Sequence, residues 1–357
     1  MVDQNPFRLG FFTRLVDDAP AAEVYRRAIE TFVHAEGLGY EAGWVAQHHA
    51  HNEGGLPSPL ILLTAAAIRT TRLQLLTGII TLPLEDPLRM AEDAAVLDVL
   101  SGGRLELGFG TGGGQAAFTI FGRNLDERHQ LYSAHFDAAR RALLGEPLFP
   151  GGPTLWPPAP HLVETMWEAT FHVDGGVRAA RHATGLLLSR TQPRPLPAPG
   201  ADPGRRQPLS EIQTPIVDAY FAHWVAKRIT PRIGMSRTVY VAPTHEEAIA
   251  DAEVGMRRHA TTAGVREGLR GDESIEELIA WSDFHIGSPD EVIAGLSGEP
   301  LLKHATDLMI QVHPVDGSHH KTLRSLELFI HRVAPALGWT RSRAVADSTP
   351  MAASGGH

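Results

Sequence analysis

Short apolar runs alternate along the chain with longer segments whose apolar positions recur at helical spacing. Runs of the first kind predict β-strands and segments of the second kind predict α-helices. Helices are predicted at residues 23–37, 57–70, 87–100, 126–144, 176–183, 211–227, 245–260 and 318–336, and another from 289. Strands are predicted at residues 8–12, 42–46, 73–80, 104–110, 163–170, 186–189, 238–241 and 307–312, with a weaker candidate at 284–287.

The repeated strand-then-helix order predicts the fold class. It is typical of a parallel sheet with right-handed crossovers, and residues 73–80 are almost wholly apolar, as in strands buried on both faces. Eight such units favour a closed α/β barrel, the eight-stranded (β/α) TIM barrel, over an open sheet. We predict one barrel domain over residues 1–340, with extra loops or helices after strands four, five and seven, and a flexible tail at 341–357.

Composition and charge exclude several classes of function. The 357 residues include no cysteine, which rules out disulfides, thiolate metal sites and a cysteine nucleophile. The net charge of −9 and the scattered basic residues argue against a nucleic-acid partner, and the run 178–181 is interpreted as the solvent face of a helix. No secretory signal and no membrane-spanning apolar run are visible. We therefore expect a cytoplasmic protein with no membrane partner.

Histidines follow the second predicted strand, at the end where a (β/α) barrel places its active site. The stretch is Gln47-His48-His49-Ala50-His51. His48 could act as a general base or hydrogen-bond donor near neutral pH, or it could cap a loop without a catalytic role. Three histidines could also bind a metal. Adjacent side chains on a strand point to opposite faces, however, so no metal site is predicted.

Glycines follow the third and fourth predicted strands. Gly78 interrupts the apolar third strand, where glycine often allows close approach of another group. The fourth strand ends in Gly108-Phe109-Gly110-Thr111-Gly112-Gly113-Gly114, which leaves backbone amides exposed. A flat ring or an anion could lie against this segment, although a glycine run is also typical of a flexible loop.

An anion site is predicted where the fifth and sixth strands end. Thr170 ends the fifth strand, and Asp174-Gly175-Gly176 opens the next helix. Free amides and the dipole at a helix start attract an anion, although an ordinary aspartate cap would give the same pattern. Ser189 and Arg190 end the sixth strand, and the guanidinium could bind a phosphate. Together these signals predict a flat, phosphorylated cofactor over the barrel mouth.

Residues 69–112 carry a more specific signature. It consists of Pro87, Ala91-Glu92-Asp93, Leu97-Asp98, Ser101-Gly102-Gly103-Arg104 and Gly108. In these residues the sequence resembles the bacterial luciferase-like monooxygenases. Gln47-His48-His49 is similar to that family's Glu-His-His motif, with glutamine in place of glutamate. A weaker likeness extends over nearly the whole chain, up to about Gly338.

The resemblance implies a cofactor and a site for it. Members of the family bind FMN, or in one branch a deazaflavin coenzyme, at the carboxyl end of the barrel. The position of Gly78-Ile79 would carry a non-proline cis peptide bond beneath the flavin ring. Thr170, Gly175 and Gly176 would hold the phosphate.

The resemblance also implies residue roles and two departures. His48 matches the family's catalytic histidine. Gly110 stands where luciferase has a cysteine near the ring. Thr111 stands where luciferase has an arginine on the phosphate, so Arg190 or the glycine amides would have to compensate. Both departures argue against luciferase activity itself.

We therefore expect an FMN-dependent monooxygenase. It would take reduced flavin from a separate flavin reductase, form a flavin 4a-hydroperoxide with dioxygen, and oxidise a small organic substrate such as an aldehyde, alkane or sulfonate. A deazaflavin-dependent hydride-transfer oxidoreductase and a non-catalytic flavin-binding relative remain open alternatives, and a metal-dependent hydrolase is a more distant one. The helices at 57–70 and 87–100 are unusually apolar for a barrel exterior, which, with the resemblance, predicts a homodimer.

Overall fold

The computed structural model describes residues 6–15, 19–50, 54–196, 206–262, 268–315 and 317–340. No helix within these ranges is both long enough and apolar enough to cross a membrane. The strands are β1 (Arg8–Thr13), β2 (Ala42–Val45), β3 (Gln74–Thr77), β4 (Ile80–Thr81), β5 (Leu105–Glu106), β6 (Gly108–Gly110), β7 (Trp167–Ala169), β8 (Gly185–Leu188), β9 (Ile233–Val241), β10 (His285–Gly287) and β11 (Asp307–Gln311). The helices are α1 (Ala21–Leu38), α2 (Pro59–Arg69), α3 (Pro87–Ser101), α4 (Gln115–Ile120), α5 (Arg128–Leu143), α6 (Val173–His182), α7 (Leu209–Ala222), α8 (His245–Ala260), α9 (Ile275–Ser282), α10 (Pro289–Ser297) and α11 (His319–Leu328).

The strands form a parallel, curled sheet. β1 pairs with β2 on one side and with β11 on the other, and the order continues from β2 to β3 and β5. From β11 the order runs through β9, β8 and β7 to β6, which pairs with β4. All of these pairs are parallel, as the strand-then-helix order requires. The fold is therefore α/β, and its curled sheet is consistent with the predicted TIM barrel.

The number of strands and the place of one insertion differ from the prediction. Within the described residues the sheet has eleven strands rather than eight, because the third predicted strand is divided into β3 and β4, the fourth is divided into β5 and β6, and the weaker candidate forms β10. β10 pairs with β9 outside the main order. Helix α4 follows β6 as an extra element, but residues 170–172 alone separate β7 from α6. The longer connection follows β8, the sixth predicted strand, and its residues 197–205 lie outside the described residues.

Strand β9 begins five residues before its predicted start at residue 238, at Ile233. The part of β9 that was not predicted contains Arg237, and arginine is rarely buried inside a strand. The Arg237 side chain is fully buried, with Nε donating to Glu299 at 2.9 Å and Nη2 donating to Gln213 at 3.0 Å. Partners that come from distant parts of the chain therefore make a charged residue acceptable inside this strand.

The signature residues around α3 have structural roles. Asp86 caps the helix by accepting hydrogen bonds from two backbone amides. The helix ends at Gly102, whose φ of 73° favours glycine. The Arg104 guanidinium is buried and donates at 2.9 Å to the backbone carbonyls of Ala67 and Leu73. This segment therefore fixes the packing of α2, α3 and β5 and leaves the chemistry to other residues.

The inside of the curled sheet is filled by two tryptophans and, at its amino end, by a polar cluster. Trp44 and Trp167 pack edge to face with ring centroids 5.6 Å apart. Arg8 and Asp307, the first residues of β1 and β11, form a partly buried ion pair, and Arg8 also pairs with Glu106. Burial raises the pKa of Asp307 although the Arg8 charge opposes the rise. This polar cluster closes the amino end, so the open end of the sheet is the carboxyl end.

Candidate active site

A cavity of about 930 Å³ lies at the carboxyl ends of the strands. Its volume is near the upper end of the roughly 300–1,000 Å³ found for ligand pockets, which leaves room for a cofactor and a small substrate together. Nine of the ten predicted site residues line it. They are His48, Gly78, Ile79, Gly110, Thr111, Thr170, Gly175, Ser189 and Arg190.

Gly176, the tenth predicted residue, lies behind the cavity wall. Helix α6 begins at Val173, earlier than predicted, so the Gly176 amide donates within the helix to the His172 carbonyl at 3.3 Å. A Cβ at Gly176 would lie 2.7 Å from the backbone oxygen of Ile216 on α7. The glycine therefore allows the two helices to approach each other closely.

The break between β3 and β4 forms one wall of the cavity. The peptide bond between Gly78 and Ile79 is cis, which confirms the prediction drawn from the resemblance. The Gly78 amide donates to the Val45 carbonyl at 2.7 Å, and the Ile79 carbonyl accepts from the Gln47 amide at 3.2 Å. A Cβ at Gly78 would lie 2.7 Å from the ring of Phe12. Both residues are therefore held against the end of β2.

Gln47 fixes the segment that follows this break. Its Nε2 donates to Glu85 Oε1 at 2.6 Å and to the Pro57 carbonyl at 3.1 Å. Its Oε1 accepts from the Thr81 amide at 2.7 Å. A glutamate could accept from Thr81 but could not donate to Glu85. The glutamine that replaces the glutamate of the family motif is therefore matched to a carboxylate partner.

Thr77 connects the two divided strands. Its Oγ1 accepts from the Gly108 amide at 2.8 Å and donates to the Gly108 carbonyl at 3.0 Å. A Cβ at Gly108 would lie only 2.1 Å from the Thr77 carbonyl oxygen. The side-chain hydroxyl therefore takes the place of backbone pairing at the point where β5 passes into β6, and glycine is required opposite it.

The glycine run after β6 lines a second wall. A Cβ at Gly110 would lie 3.0 Å from the side chain of Ile79, so this glycine keeps the space above the β3–β4 break narrow but open. Gly112 has a φ of 67°, which side chains rarely adopt. A Cβ at Gly113 or Gly114 would meet nothing within 4 Å. The run therefore combines two constrained positions with two open ones.

The histidines after β2 have different surroundings. His48 lines the cavity, and its backbone amide donates to the Leu56 carbonyl at 3.0 Å. His49 packs edge to face on Phe121 with centroids 4.6 Å apart, and burial lowers its pKa. His51 lies outside the described residues. Among the residues that are described, no cluster of three or more histidine or carboxylate side chains is placed to hold a metal.

The start of α6 forms the polar end of the cavity. The Thr170 hydroxyl accepts from the His172 amide at 3.0 Å, and it would lie 2.0 Å from a Cβ at Gly175. Glycine at 175 therefore lets the hydroxyl lie against the helix start. The first amides of a helix, here those of Val173 and Asp174, have no acceptor inside the helix. This end of the cavity is suited to an anion.

Two arginines and a histidine in this part of the cavity were not predicted from the sequence. Arg128, His129 and Arg178 all line the cavity. Burial and then the charges of Arg128 and Arg178 lower the pKa of His129. The solvent-face interpretation of residues 178–181 is correct for Arg181, which is exposed, and wrong for Arg178. The available signal was the position of Arg178, less than one helical turn after the glycines that open α6.

Glu168 on β7 holds Arg178 in place. Its carboxylate is fully buried, and burial alone would raise its pKa. Hydrogen bonding to His182 and the charge of Arg178 outweigh burial and lower the pKa, so the group is ionised at neutral pH. Its four partners are Tyr132 Oη at 2.9 Å, Arg178 Nε at 2.7 Å, His182 Nδ1 at 2.7 Å and Thr184 Oγ1 at 3.0 Å.

Arg190 extends towards another part of the cavity wall. Its Nη1 donates to Thr238 Oγ1 at 3.0 Å, and its Nε donates to Gln311 Oε1. Thr238 belongs to β9 and Gln311 ends β11, so the guanidinium points away from α6. Ser189 forms a local hydrogen bond of 2.8 Å with Thr191 Oγ1. A role of Arg190 on a phosphate stays a prediction.

Known proteins similar to this chain include several monooxygenases. The 4-hydroxyprotoasukamycin monooxygenase of Streptomyces nodosus subsp. asukaensis is 28% identical over 325 residues, 84% of this chain and 83% of the relative. The limonene 1,2-monooxygenase of Rhodococcus erythropolis is 26% identical over 344 residues, 89% of this chain and 83% of the relative. The oxygenase component of a flavin-dependent trigonelline monooxygenase from Acinetobacter baylyi is 32% identical over 99 residues, 28% of each chain. An uncharacterised protein of Sinorhizobium fredii is 32% identical over 177 residues, 47% of this chain, and the match spans half of that relative's length.

Solved structures with the same fold include flavin and deazaflavin enzymes. A monooxygenase from Streptomyces bottropensis superposes with a TM-score of 0.73 at 24% identity, covering 93% of this chain and 100% of the other. The oxygenating constituent of 3,6-diketocamphane monooxygenase from Pseudomonas putida, solved with FMN, gives 0.71 at 17% identity, with 92% and 98% covered. The coenzyme F420-dependent tetrahydromethanopterin reductase from Methanopyrus kandleri gives 0.67 at 17%, with 92% and 99% covered. These structures support the fold.

Residues 7–198 match the family model of the luciferase-like monooxygenases. The chain belongs to the luciferase-like monooxygenase family. It is accordingly an enzyme of the flavin-dependent oxidoreductase class.

Proposed function

We propose that this protein is an FMN-dependent monooxygenase that oxidises a small organic substrate. One observation carries the proposal. A single cavity joins the glycine-lined space above the Gly78–Ile79 bond to the cationic start of α6. A flat ring fits the first part and a phosphate fits the second.

The residues present fit FMN at both ends. Ile79, Gly110 and Thr111 would lie against the ring, where the absence of a side chain at Gly110 keeps the space open. Thr170 and the amides that open α6 near Gly175 would hold the phosphate, with Arg128 and Arg178 supplying charge. Ser189 would contact the chain that joins ring and phosphate. Gly176 would act through helix packing.

Reduced FMN, when bound, would supply the electrons that activate dioxygen and let one oxygen atom reach the substrate. The protein's own contribution is position and exclusion of water. Ile79, Phe118 and Met309 line the cavity as apolar side chains that keep water from the reacting groups. His48 lines the same cavity, and its imidazole would donate or accept the proton that oxygen transfer requires.

The proposed partners are dioxygen, a small organic substrate and a separate flavin reductase. The name of the trigonelline relative, an oxygenase component, supports a two-component system here. A reductase would deliver reduced FMN to the open mouth of the cavity.

The test begins with anaerobic titration of the full chain with reduced FMN and with reduced riboflavin. The complex is then mixed with air-saturated buffer while flavin absorbance is recorded. We expect FMN to bind more tightly than riboflavin and a transient spectrum to appear before oxidised flavin. Arg128→Gln should weaken FMN binding, whereas His48→Gln should keep binding and change the decay of the transient.

Other outcomes would point to the alternatives. Tight FMN binding with no transient would favour a flavin-binding relative without turnover, and the hydroperoxide route would then be wrong. Binding of a deazaflavin coenzyme in preference to FMN, without dioxygen consumption, would favour hydride transfer. Failure of all three flavins to bind would refute the proposal.

We also propose a homodimer through α2 and α3. These neighbouring helices carry exposed apolar side chains, and Ile61 and Ile68 are both more than 70% exposed. Val99 on α3 is 61% exposed. An apolar surface of this kind indicates a protein partner, and here a second copy. Sedimentation should show a dimer that Ile68→Lys dissociates, whereas the control Val254→Lys, on α8, should leave it intact. A monomeric unaltered chain would contradict the proposal.

We further propose that residues 1–340 form one barrel domain of eight strands. In this barrel β3 with β4 is one strand, β5 with β6 is another, and β10 is not included. β3 with β4 and β5 with β6 each continue a single predicted strand. The pairing order also returns through β11 to β1, and β10 lies outside it. Limited proteolysis should yield one resistant fragment that covers most of residues 1–340; the tail predicted at 341–357 lies outside the described residues.

A further inference from the structure

The Arg190 guanidinium is a buried charge, and none of the described residues places an opposite charge beside it. The residue is 6% exposed. Its protein contacts are the hydrogen bonds to Thr238 and Gln311 and the ring of Phe284, whose centroid is 6.0 Å from Cζ. In the part of the chain that the structure describes, no carboxylate forms an ion pair with it. A buried charge of this kind is unfavourable unless a partner neutralises it.

The titratable groups described around Arg190 do not supply that partner. Burial, and then the charge of Arg14, lowers the pKa of Arg190 to about 9, so the guanidinium stays charged at neutral pH. Burial and nearby arginines lower the pKa of His259 to about 4 and that of His313 to about 2. Both histidines are therefore neutral at neutral pH. The net charge of this group of residues is positive.

Gln311 adds a second donor at the same place. Arg190 can only donate, so the amide atom that it contacts must be the oxygen Oε1. The nitrogen Nε2 is then left over, and within the described residues it is buried without a hydrogen-bond partner. Gln311 is 4% exposed and lines the cavity, as Arg190 does. Because Arg190 uses Nε and Nη1 for protein contacts, its Nη2 also remains for a ligand.

We propose that Arg190 and Gln311 bind the carboxylate of the substrate, and that the substrate is a small organic acid. This assignment rests on the proposed monooxygenase function. Arg190 Nη2 and Gln311 Nε2 would each donate to the carboxylate. The acid group would neutralise Arg190 and hold the substrate at the β8–β9–β11 side of the cavity.

A phosphate of the cofactor is the other anion that could bind Arg190, and the geometry favours the substrate. The start of α6 already offers free amides and two arginines, Arg128 and Arg178, to a phosphate. Arg190 instead turns towards β9 and β11. One cavity of about 930 Å³ can hold a cofactor at one end and an acid at the other.

The first experiment compares acids with their neutral amides on the full chain. The probes are benzoate and benzamide, phenylacetate and phenylacetamide, and hexanoate and hexanamide. Each is titrated calorimetrically with and without oxidised FMN. We expect at least one acid to bind about tenfold or more tightly than its amide. Equal affinity of acid and amide in all three pairs would overturn the proposal.

Two substitutions test the assigned residues. Arg190→Gln should remove the preference for the acid. Gln311→Glu should also remove the preference for the acid, because the new carboxylate would neutralise Arg190 from within the protein. This second variant keeps the test valid if Arg190→Gln fails to fold. Arg128→Gln is the matched control and should retain the preference. A preference that survives both of the first two substitutions would refute the assignment.

The same variants separate substrate from cofactor. If Arg190 bound the cofactor phosphate, Arg190→Gln would erase the preference for FMN over riboflavin, and that result would overturn the proposal. We expect Arg128→Gln to reduce this preference and Arg190→Gln to keep it. Failure of both flavins to bind the unaltered chain would refute the proposed monooxygenase function. It would not refute the carboxylate site, because the binding of the acid probes is also measured without flavin.

Discussion

Replacing Glu168 by glutamine should destabilise the protein more than any surface change. The carboxylate accepts hydrogen bonds from four side chains, which lie on α5, on α6 and just before β8. A glutamine keeps one acceptor oxygen and turns an NH2 group towards groups that can only donate, such as Arg178 Nε. Loss of one partner from a buried charged network costs about 3–5 kcal/mol of unfolding free energy.

Urea unfolding at neutral pH measures this loss. The control is Glu92→Gln on α3, which removes an exposed ion pair of 3.1 Å with Arg89 and should cost less than about 1 kcal/mol. A loss below about 1 kcal/mol for Glu168→Gln would refute the argument that this carboxylate is an ionised, fully used acceptor. Equal losses in the two variants would refute it as well.

Acid should reduce the difference between the unaltered protein and Glu168→Gln. The folded pKa of Glu168 lies below its ordinary value of 4.5, so the stabilisation is complete above pH 4.5 and is lost as pH falls through the lower folded value. Unfolding at about pH 7 and about pH 3 gives the comparison. A difference that grows on acidification would contradict the sign of this pKa shift.

Glu168→Gln should also weaken FMN binding, because Glu168 positions Arg178 beside the start of α6. Riboflavin, which has no phosphate, should bind the variant and the unaltered chain alike. This contrast distinguishes a positioning role from general destabilisation, which would reduce the affinity for both flavins.

Three further measurements follow from the structure. Gly108→Ala would place a Cβ 2.1 Å from the Thr77 carbonyl oxygen, and urea unfolding should show a loss of about 1–3 kcal/mol. Tyr220→Phe removes a 2.7 Å hydrogen bond to the Thr184 carbonyl, and the same assay should show a loss of about 1–3 kcal/mol. Burial, followed by the charges of nearby arginines, lowers the pKa of His259 to about 4. The calorimetric affinity for the organic acid probe should therefore stay constant from about pH 5.5 to about pH 8. A marked rise in that affinity towards pH 5.5 would show that a histidine beside Arg190 gains a proton.

The sequence predicted features that depend on local pattern. Apolar runs located most strands because a strand buried on both faces is apolar along its whole length. Nine of the ten site residues predicted from strand ends and the turns after them line the cavity, because parallel strands bring their carboxyl ends to one edge. The family motif located the cis bond at Gly78–Ile79.

Features that depend on distant partners could not be predicted. The first half of β9 was not predicted because it contains Arg237, and nothing near Arg237 in sequence indicates that Glu299 is its partner. Arg178 was assigned to solvent because its partner Glu168 lies on a strand, ten residues earlier. The direction of Arg190 depends on two other strands, so its position at a strand end could not show which ligand it faces.

The uneven glycine run after β6 has a consequence for how this enzyme's chemistry can diversify. Gly110 and Gly112 are fixed by a neighbouring side chain and by backbone conformation, whereas Gly113 and Gly114 have empty space where a Cβ would be. New side chains can therefore be introduced at the last two positions with little effect on the fold. They would project into the open space beside this wall of the cavity, where they would contact the acid substrate that we propose. A mutant library restricted to these two positions should shift substrate preference while most of its members still fold and bind flavin.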